Sequence, residues 1–252
     1  MEPLDRGATR AHLAPRLTPG VEALDGGVYR RTLTVCGNPG VVEVDLVGDA
    51  PHLEMTAHLP TFDSIIDDVA RIRTMFGLDD DVQGAEALLS ADPRLAPLLE
   101  RQRGLRVIGG WDRFETAVRV VVGQQVSVAG ATTVTGRLVE RVGAPLAAPA
   151  LGLTHLFPTP DTLAELDADA SAPGMPTRRL ATIRALARAV LDGSVDLYGA
   201  VPPDEVRRQL LRLPGIGPWT AEVIALRALR DPDAFPAGDL GIRHAVARLT
   251  GA

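Results

Sequence analysis

Asp239 is a candidate catalytic carboxylate. It follows the proline-rich stretch F-P-A-G and precedes the helix-forming stretch L-G-I-R. A carboxylate beside a reaction centre can stabilise developing positive charge and can orient or deprotonate an attacking water. The structural alternative is an N-cap, because Asp is a favoured residue at the start of a helix. The two roles are compatible.

A hairpin rich in Gly and Pro precedes Asp239. The sequence L-P-G-I-G at residues 213–217 separates helix-forming segments at residues 204–211, with Asp204 as N-cap, and 218–229. Glycines two apart allow a tight turn with no Cβ to keep a ligand away, and amides at the start of a helix attract anions. The pattern predicts a phosphate-binding hairpin, although a plain turn between packed helices is the alternative. The residues concerned are Pro214, Gly215, Ile216, Gly217 and, just beyond, Thr220.

Trp219 directly follows the hairpin, and its indole suits stacking on an electron-poor ring. The alternative is a core Trp that packs the hairpin helix. All 26 basic residues of the chain are Arg, and the sequence contains no Lys. A mechanism in which a lysine forms a Schiff base with the substrate is therefore unavailable to this chain.

Polar residues also interrupt two other helical regions. Gln124 and Gln125 lie in the apolar segment V-V-V-G-Q-Q-V-S-V-A. Buried amides need partners, so these residues indicate contact with a polar ligand, with helix capping as the alternative. Thr177 and Arg178 open a helix and could hold a phosphate. Arg243, one turn into the last helix, could do the same or pair with a carboxylate.

Composition limits the class of protein. The 252 residues are 46% hydrophobic with a mean hydropathy of +0.10, and no apolar run is long enough to span a bilayer. We therefore expect a cytoplasmic protein without a membrane partner. The single cysteine, Cys36, excludes an intrachain disulfide, a four-cysteine iron–sulfur cluster and a cysteine zinc site. A net charge of −6 argues against strong nonspecific polyanion binding, although a local basic face can coexist with it.

Periodicity divides the chain into a divergent N-terminal segment (residues 1–16), an α+β domain (17–78) and a helical domain (79–252). The α+β domain contains predicted strands at 28–35, 41–47 and 52–59, a turn at 37–40 and a helix at 62–76. The predicted helices of the last domain are 80–90, 94–103, 114–122, 129–142, 161–166, 177–191, 204–211, 218–229 and 238–249. The predicted fold class is α+β, with a small N-terminal antiparallel sheet and helix followed by an all-helical core.

Four motifs together resemble the helix-hairpin-helix (HhH-GPD) superfamily of DNA glycosylases, and within it the 3-methyladenine DNA glycosylase II (AlkA-like) type. They are L-P-G-I-G-P-W-T-A-E-V-I-A-L-R at 213–227, F-P-A-G-D-L-G-I-R at 235–243, G-M-P-T-R-R at 174–179 and V-V-G-Q-Q-V-S-V-A at 121–129. They follow the family's order across most of the chain. The resemblance implies an N-terminal α+β domain before an all-helical helix-hairpin-helix core.

The resemblance also implies a function. Such an enzyme is a monofunctional glycosylase of base excision repair that flips alkylated bases, mainly 3-methyladenine, out of double-stranded DNA and leaves an abasic site. It makes Asp239 catalytic, places Trp219 and Gln124 at the base pocket, and makes Gln125 the wedge that fills the vacated space. The implied DNA contacts are Gln125, the hairpin residues, Thr220, Thr177, Arg178 and Arg243. A monomer without a cofactor is expected, except that a monovalent cation could bridge the hairpin and a DNA phosphate.

The chain ends soon after Asp239, whereas the family continues with a helical segment that closes one wall of the pocket. We therefore expect a member shortened at the C-terminus, with its last helix missing and Val246 and Leu249 exposed. The alternative function is a catalytically impaired homologue that only binds DNA. A third possibility is an interaction protein with no DNA role, which the acidic composition permits.

Overall fold

The computed structural model describes residues 4–167, 174–199 and 201–251. Helix α1 (Arg6–Leu13) runs into a short 3-10 turn and leads to a four-stranded antiparallel sheet with the strand order β1-β2-β3-β4. The strands are β1 (Glu22–Asp25), β2 (Val28–Val35), β3 (Asn38–Asp45) and β4 (Glu54–His58), and helix α2 (Ile65–Met75) follows. The predicted N-terminal sheet and helix are confirmed.

Two turns of this sheet are tighter than the sequence pattern predicts, whereas the connection from β3 to β4 is longer, because β3 ends at Asp45 and β4 begins at Glu54. The turn predicted at residues 37–40 consists of Cys36 and Gly37, with φ of 49° and 78°, and β3 already begins at Asn38. Two successive residues with positive φ are typical of a type I′ turn, whose twist matches that of paired strands, so the pairing continues up to the turn. A Gly-Gly turn of the same kind joins β2 to β1, a strand that the periodicity does not predict.

One face of the sheet packs against α2. Tyr29 and Val44 on the sheet are fully buried there with Phe76, and Ile72 is almost so. The rings of Tyr29 and Phe76 meet edge to face, with 6.0 Å between their centroids. Alternate residues of a strand point to the same face, which is why a period of two in the sequence marks this sheet.

The rest of the described chain is mainly helical, which confirms the predicted helical core. Its helices are α3 (Val82–Leu89), α4 (Ala96–Arg101), α5 (Arg113–Val122), α6 (Val128–Val142), α7 (Pro160–Ala164), α8 (Thr177–Leu191), α9 (Pro203–Leu210), α10 (Pro218–Ile224) and α11 (Leu240–Thr250). A π-helical turn (Ala225–Leu229) continues α10. Ala117 and Val118 on α5 and Ile183 and Leu186 on α8 are fully buried at the centre of this core.

A β-hairpin within the helical part contradicts the expectation that strands end with the first domain. Strands β5 (Pro145–Ala150) and β6 (Leu153–His155) lie in a stretch rich in Ala and Pro. The sheet domain holds them, because Thr32 Oγ1 donates to the His155 carbonyl at 2.8 Å. Backbone partners supplied by a distant segment decide such a strand, and a local sequence pattern does not reveal them.

The helices around the Gly-Pro hairpin begin and end at defined residues. α9 begins at Pro203, so Asp204 lies in its first turn and not at the N-cap; Pro is favoured at the first helical position. α11 has no buried side chain, and Val246 and Leu249 are exposed. None of the helices described is long and apolar enough to cross a membrane.

Candidate active site and DNA-binding cleft

Asp239 uses its two oxygens for different purposes. Oδ1 accepts hydrogen bonds from the amides of Gly241 (2.8 Å) and Ile242 (3.3 Å), which is N-cap geometry at the start of α11. Oδ2 accepts a hydrogen bond of 3.0 Å from the indole Nε1 of Trp219. The capping interpretation is therefore correct for one oxygen and leaves the other beside the indole.

A half-buried arginine holds the loop that carries this carboxylate. Arg207 on α9 forms ion pairs with Asp231 and, at 2.9 Å, with Glu222. The other oxygen of Glu222 accepts from the Phe235 amide at 3.2 Å. Asp231 is buried, although its position in a loop rich in Pro suggests a turn residue exposed to solvent. The loop is thus fixed against the helices on both sides of the hairpin.

Trp219 and Asp239 lie in the wall of a cleft of about 1100 Å³, which we call the outer cleft. The hairpin, the loop between α5 and α6, and the first turn of α8 form its other walls. Nine residues singled out in the sequence line it: Gln124, Gln125, Arg178, Pro214, Gly215, Gly217, Trp219, Thr220 and Asp239. The fold thus brings together motifs that are spread over more than a hundred residues.

Three predicted site residues do not line the outer cleft. The side chain of Ile216 is buried in the helical core, so only its backbone belongs to the hairpin surface. Thr177 and Arg243 are exposed, in the first turns of α8 and α11. Arg243 pairs with no carboxylate among the described residues.

The hairpin presents backbone groups to the outer cleft. Gly215 has a φ of +84°, and a Cβ at this position would collide with the side chain of Thr182. The Ile216 amide donates to the Leu213 carbonyl at 3.2 Å. The amides of Gly215 and Gly217 donate to no acceptor in the described part of the chain. They are available to an anion such as a phosphate.

The two glutamines take different roles in the loop between α5 and α6. Gln124 Nε2 donates to the Gly215 carbonyl at 2.9 Å and to Thr220 Oγ1 at 3.0 Å, and so ties the loop to the hairpin. Gln125 is exposed with a φ of 56°, and its Oε1 accepts from Arg178 at 3.3 Å. Helix capping does not explain either side chain, because Ser127 caps α6.

The charge of the outer cleft differs from that of the whole chain. Arg178 and Arg179 line it, and Asp239 is the one carboxylate among its described lining residues. Burial and the neighbouring Arg178 lower the pKa of Arg179 below its usual value, but Arg remains charged at neutral pH. A net charge of −6 therefore coexists with a cleft in which basic groups outnumber acidic ones.

A second cavity of about 360 Å³ lies behind Trp219 and Asp239, which line both cavities. We call it the inner chamber. It lies between α1, the sheet domain and the helical core. Its polar and charged lining residues, apart from threonines and Asp239, are His12, Arg16, Glu22, Arg119 and Arg227. Sequence reasoning missed all five, although Arg119, which lies with Glu115 on a predicted apolar helix, was a usable signal of a buried polar cluster.

Buried ion pairs form one side of the inner chamber. Arg31 contacts Glu115 at 2.8 Å, and Arg119 contacts Glu22 at 2.9 Å. The Tyr29 hydroxyl donates to Glu22 at 2.6 Å. Burial opposes ionisation of Glu22, but Arg119 and Arg31 outweigh it and lower the pKa of this carboxyl below its usual value. The network joins the sheet domain to α5.

His12 and Arg227 form the opposite side. Arg227 Nη1 lies 3.1 Å from His12 Nε2 and donates to the Ile108 carbonyl at 2.6 Å. Burial, together with Arg227, Arg16 and Arg119, lowers the pKa of His12 to about 3. Burial and neighbouring arginines, Arg16 foremost, lower the pKa of Arg227 to about 10. At neutral pH the imidazole is therefore uncharged and the guanidinium is charged.

No group of three or more His, Cys, Asp and Glu side chains in the described residues is arranged to hold a metal ion. At the junction of the two cavities lie one carboxylate, that of Asp239, and the indole of Trp219, with arginines in the lining of both cavities.

Family models match both parts of the chain. The AlkA N-terminal domain model matches residues 1–112, and the model of the HhH-GPD superfamily of base excision DNA repair proteins matches residues 118–252. The second match covers more than half of the chain. The chain therefore belongs to the HhH-GPD superfamily of base excision DNA repair proteins, and its resemblance to the AlkA-like type is confirmed.

Individual relatives agree with this placement. The chain is 42% identical, over 94% of its length, to a probable bifunctional transcriptional activator/DNA repair enzyme AlkA of Mycobacterium tuberculosis, and it spans about half (47%) of that relative. It is 31% identical to DNA-3-methyladenine glycosylase 2 of Escherichia coli, over 98% of this chain and 86% of that protein. A 3-methyladenine DNA glycosylase of Archaeoglobus fulgidus shares the fold, with a TM-score of 0.83 and 22% identity over 98% of this chain and 84% of that one.

Proposed function

We propose that this chain is a monofunctional DNA glycosylase of base excision repair, which hydrolyses the N-glycosidic bond of alkylated bases of the 3-methyladenine type. The observation that carries the proposal is the 3.0 Å hydrogen bond from Trp219 to Asp239 at the junction of the outer cleft and the inner chamber. One cavity is open to a duplex, and the other has a volume typical of small-molecule sites. A carboxylate between them would lie beside the sugar.

The outer cleft would hold the duplex. The free amides of Gly215 and Gly217 would bind a backbone phosphate, alone or through a monovalent cation. Arg178 would add a charged contact at the opposite wall, with Thr177 and Arg243 on the exposed surface nearby. Gln125 would enter the space of the nucleotide that has left the stack, because it is exposed at the tip of its loop.

The extruded base would enter the inner chamber past Trp219, whose ring can stack on it. As the bond from C1′ to the base nitrogen breaks, its electron pair leaves with the base and positive charge grows on the sugar. The Asp239 carboxylate stabilises this charge and takes a proton from the water that bonds to C1′. Gln124 supports this arrangement because it ties the loop between α5 and α6, which carries Gln125, to the hairpin.

The product would be an intact strand with an abasic site. Strand cleavage by a Schiff-base route needs an amine nucleophile such as lysine, and the sequence contains none. Strand breaks should therefore appear only after treatment with alkali.

The experiment compares base release from methylated duplex DNA by the wild type, Asp239→Asn and the control Asp233→Asn. Asn is as good an N-cap as Asp, so the fold is expected to survive the first change. Asp233 is an exposed carboxylate of the same loop. We expect Asp239→Asn to lose on the order of 10²- to 10³-fold in rate, while Asp233→Asn keeps the wild-type rate.

Three outcomes would contradict parts of the proposal. Equal release by wild type and Asp239→Asn removes Asp239 from its role. Breaks before alkali refute monofunctional hydrolysis. Specific binding without any release by the wild type favours the alternative, a homologue that only binds DNA.

A further inference from the structure

The inner chamber carries positive charge that the protein does not neutralise. The charge of Arg119 is balanced by Glu22 and Glu115. In the described residues, Arg16 and Arg227 form no ion pair. Asp239 is the remaining carboxylate of the lining, and it acts on Arg227 from a distance. With a neutral His12, the unpaired arginines outnumber the unpaired carboxylate, so the chamber is electropositive.

The donors of the chamber are fixed in direction. A guanidinium has no acceptor, so the contact between Arg227 Nη1 and His12 Nε2 makes the imidazole nitrogen the acceptor. The neutral ring therefore carries its proton on Nδ1, which has no partner in the described part of the chain. The Ile108 carbonyl holds the same Arg227 nitrogen. Its other nitrogens, Nη2 and Nε, make no hydrogen bond in the described residues and remain free to donate to a ligand.

We infer that Arg227 is a specificity-determining residue of the reaction: its hydrogen bond to the departing base accelerates the release of neutral purines with an acceptor edge, whereas cationic alkylated purines leave without its help. His12 positions Arg227 and supplies a second donor. This inference rests on the proposed function, since it assigns the inner chamber to the base.

The electron count explains the preference. In both cases the bond between C1′ and the purine N9 breaks, its electron pair goes to the base, water oxygen bonds to C1′, and the water loses a proton to Asp239. A cationic purine leaves as a neutral molecule. A neutral purine leaves as an anion, which then takes a proton from solvent. A fixed positive donor stabilises the second departure, and the first departure does not need it because the base leaves uncharged.

The test measures single-turnover base release from two duplexes, one with a single deoxyinosine (neutral 6-oxopurine) and one with a single 7-methyldeoxyguanosine (cationic). The proteins are the wild type, Arg227→Met, Arg227→Gln and the control Arg230→Met. Gln keeps a donor but removes the charge. Arg230 pairs with Asp80, lies outside the inner chamber and carries the same charge.

We expect Arg227→Met to release hypoxanthine about 10- to 100-fold more slowly than the wild type. Its release of 7-methylguanine should stay within about threefold of the wild-type rate. The rate of hypoxanthine release by Arg227→Gln should fall between those of the wild type and Arg227→Met. Arg230→Met should change neither rate. The ratio of the two rates within one protein is independent of any unfolded fraction, so a loss of stability cannot imitate the result.

Two results would overturn the inference while leaving the proposed function intact. One is an equal loss of rate on both duplexes, which would mean that Arg227 only stabilises the structure of the chamber. The other is a wild type that releases 7-methylguanine but no hypoxanthine. Release of neither base would remove the proposed function, and the inference with it.

Discussion

The outer cleft and the inner chamber share Trp219 and Asp239 but are built from different groups. The outer cleft offers backbone amides and exposed side chains whose hydrogen-bonding capacity the protein leaves unused. The inner chamber is lined by charges, and one side of it is a network of buried ion pairs that forms without a ligand. The outer cleft leaves its amides without acceptors, whereas the inner chamber pairs the charges of one side and leaves Arg16 and Arg227 without an ion pair in the described residues.

The difference follows from what each cavity would hold. The charge of a phosphate backbone does not depend on the base sequence of the DNA, so uncharged amides and a few arginines suffice to position it. A base needs a preformed chamber, because the surrounding dipoles must be in place before the bond breaks. Changes in the chamber should therefore appear in folding stability, and changes in the cleft should appear in DNA binding.

The largest effect is expected for Glu115→Gln, on the chamber side. It leaves the fully buried guanidinium of Arg31 without its 2.8 Å ion-pair partner. We expect the free energy of unfolding, measured by urea denaturation, to fall by about 3 kcal/mol. The control is Glu43→Gln, which breaks the more exposed pair with Arg30 and should cost at most about 1 kcal/mol. Equal losses would show that the chamber's ion pairs are no more important to the fold than surface pairs.

On the cleft side, substitutions of the two hairpin glycines distinguish effects on folding from effects on DNA binding. Gly215→Ala places a Cβ against Thr182 at a φ of +84°, so we expect it to lower the free energy of unfolding by about 1–3 kcal/mol. Gly217→Ala meets no atom, and its cost to the fold should stay below about 1 kcal/mol. Both variants should weaken binding to a duplex with an abasic analogue, because each adds a Cβ where the amides face the cleft. Wild-type affinity in Gly217→Ala would exclude the hairpin backbone from the DNA contact.

His12 should make the chamber sensitive to acid. Its pKa is about 3 in the fold and about 6.5 in an unfolded chain, so between these values the unfolded state binds the extra proton. Stability is therefore full above pH 6.5 and falls as the pH is lowered toward 3. Since His12 is partly exposed, we expect a loss of about 1–2 kcal/mol between pH 7 and pH 5.

The test is to measure urea denaturation of the wild type and His12→Phe at both pH values. The variant should lose distinctly less stability over this interval. Glu22 does not interfere, because its folded pKa is lowered, so its contribution is lost only as the pH falls below about 4.5. Identical pH dependence in the two proteins would show that His12 does not set the acid sensitivity.

The cleft was easier to predict from the sequence than the chamber, and the reason is physical. The hairpin depends on Gly215, whose positive φ is a local requirement that selects glycine. The helices depend on a local period, and α8 begins and ends at the predicted residues. Asp239 and Trp219 are separated in sequence, but each stands in a short motif that the family resemblance identifies.

The inner chamber has no such local signature. His12 and Arg227 come from opposite ends of the chain, and each taken alone looks like an ordinary surface residue of a helix. Glu22 lies on a strand that the alternation does not show, because β1 has only four residues. The chamber is produced by the docking of the sheet domain against α5, which is a property of the assembled fold.

The smallest effect is expected for Arg178→Gln, at the rim of the outer cleft. Arg178 is exposed, and in the described residues its side chain makes one hydrogen bond, the 3.3 Å contact to Gln125, so the change should leave the fold intact. If Arg178 contacts a phosphate, its loss should reduce the slope of log K against log salt concentration by about 0.9. Fluorescence anisotropy of a labelled abasic duplex at several salt concentrations measures this slope.

Arg94→Gln, which changes an exposed arginine paired with Asp92, is the matched control and should keep the wild-type slope. An unchanged slope in Arg178→Gln would show that Arg178 does not contact a phosphate and only positions Gln125. The amides of the hairpin would then bind the phosphate without it.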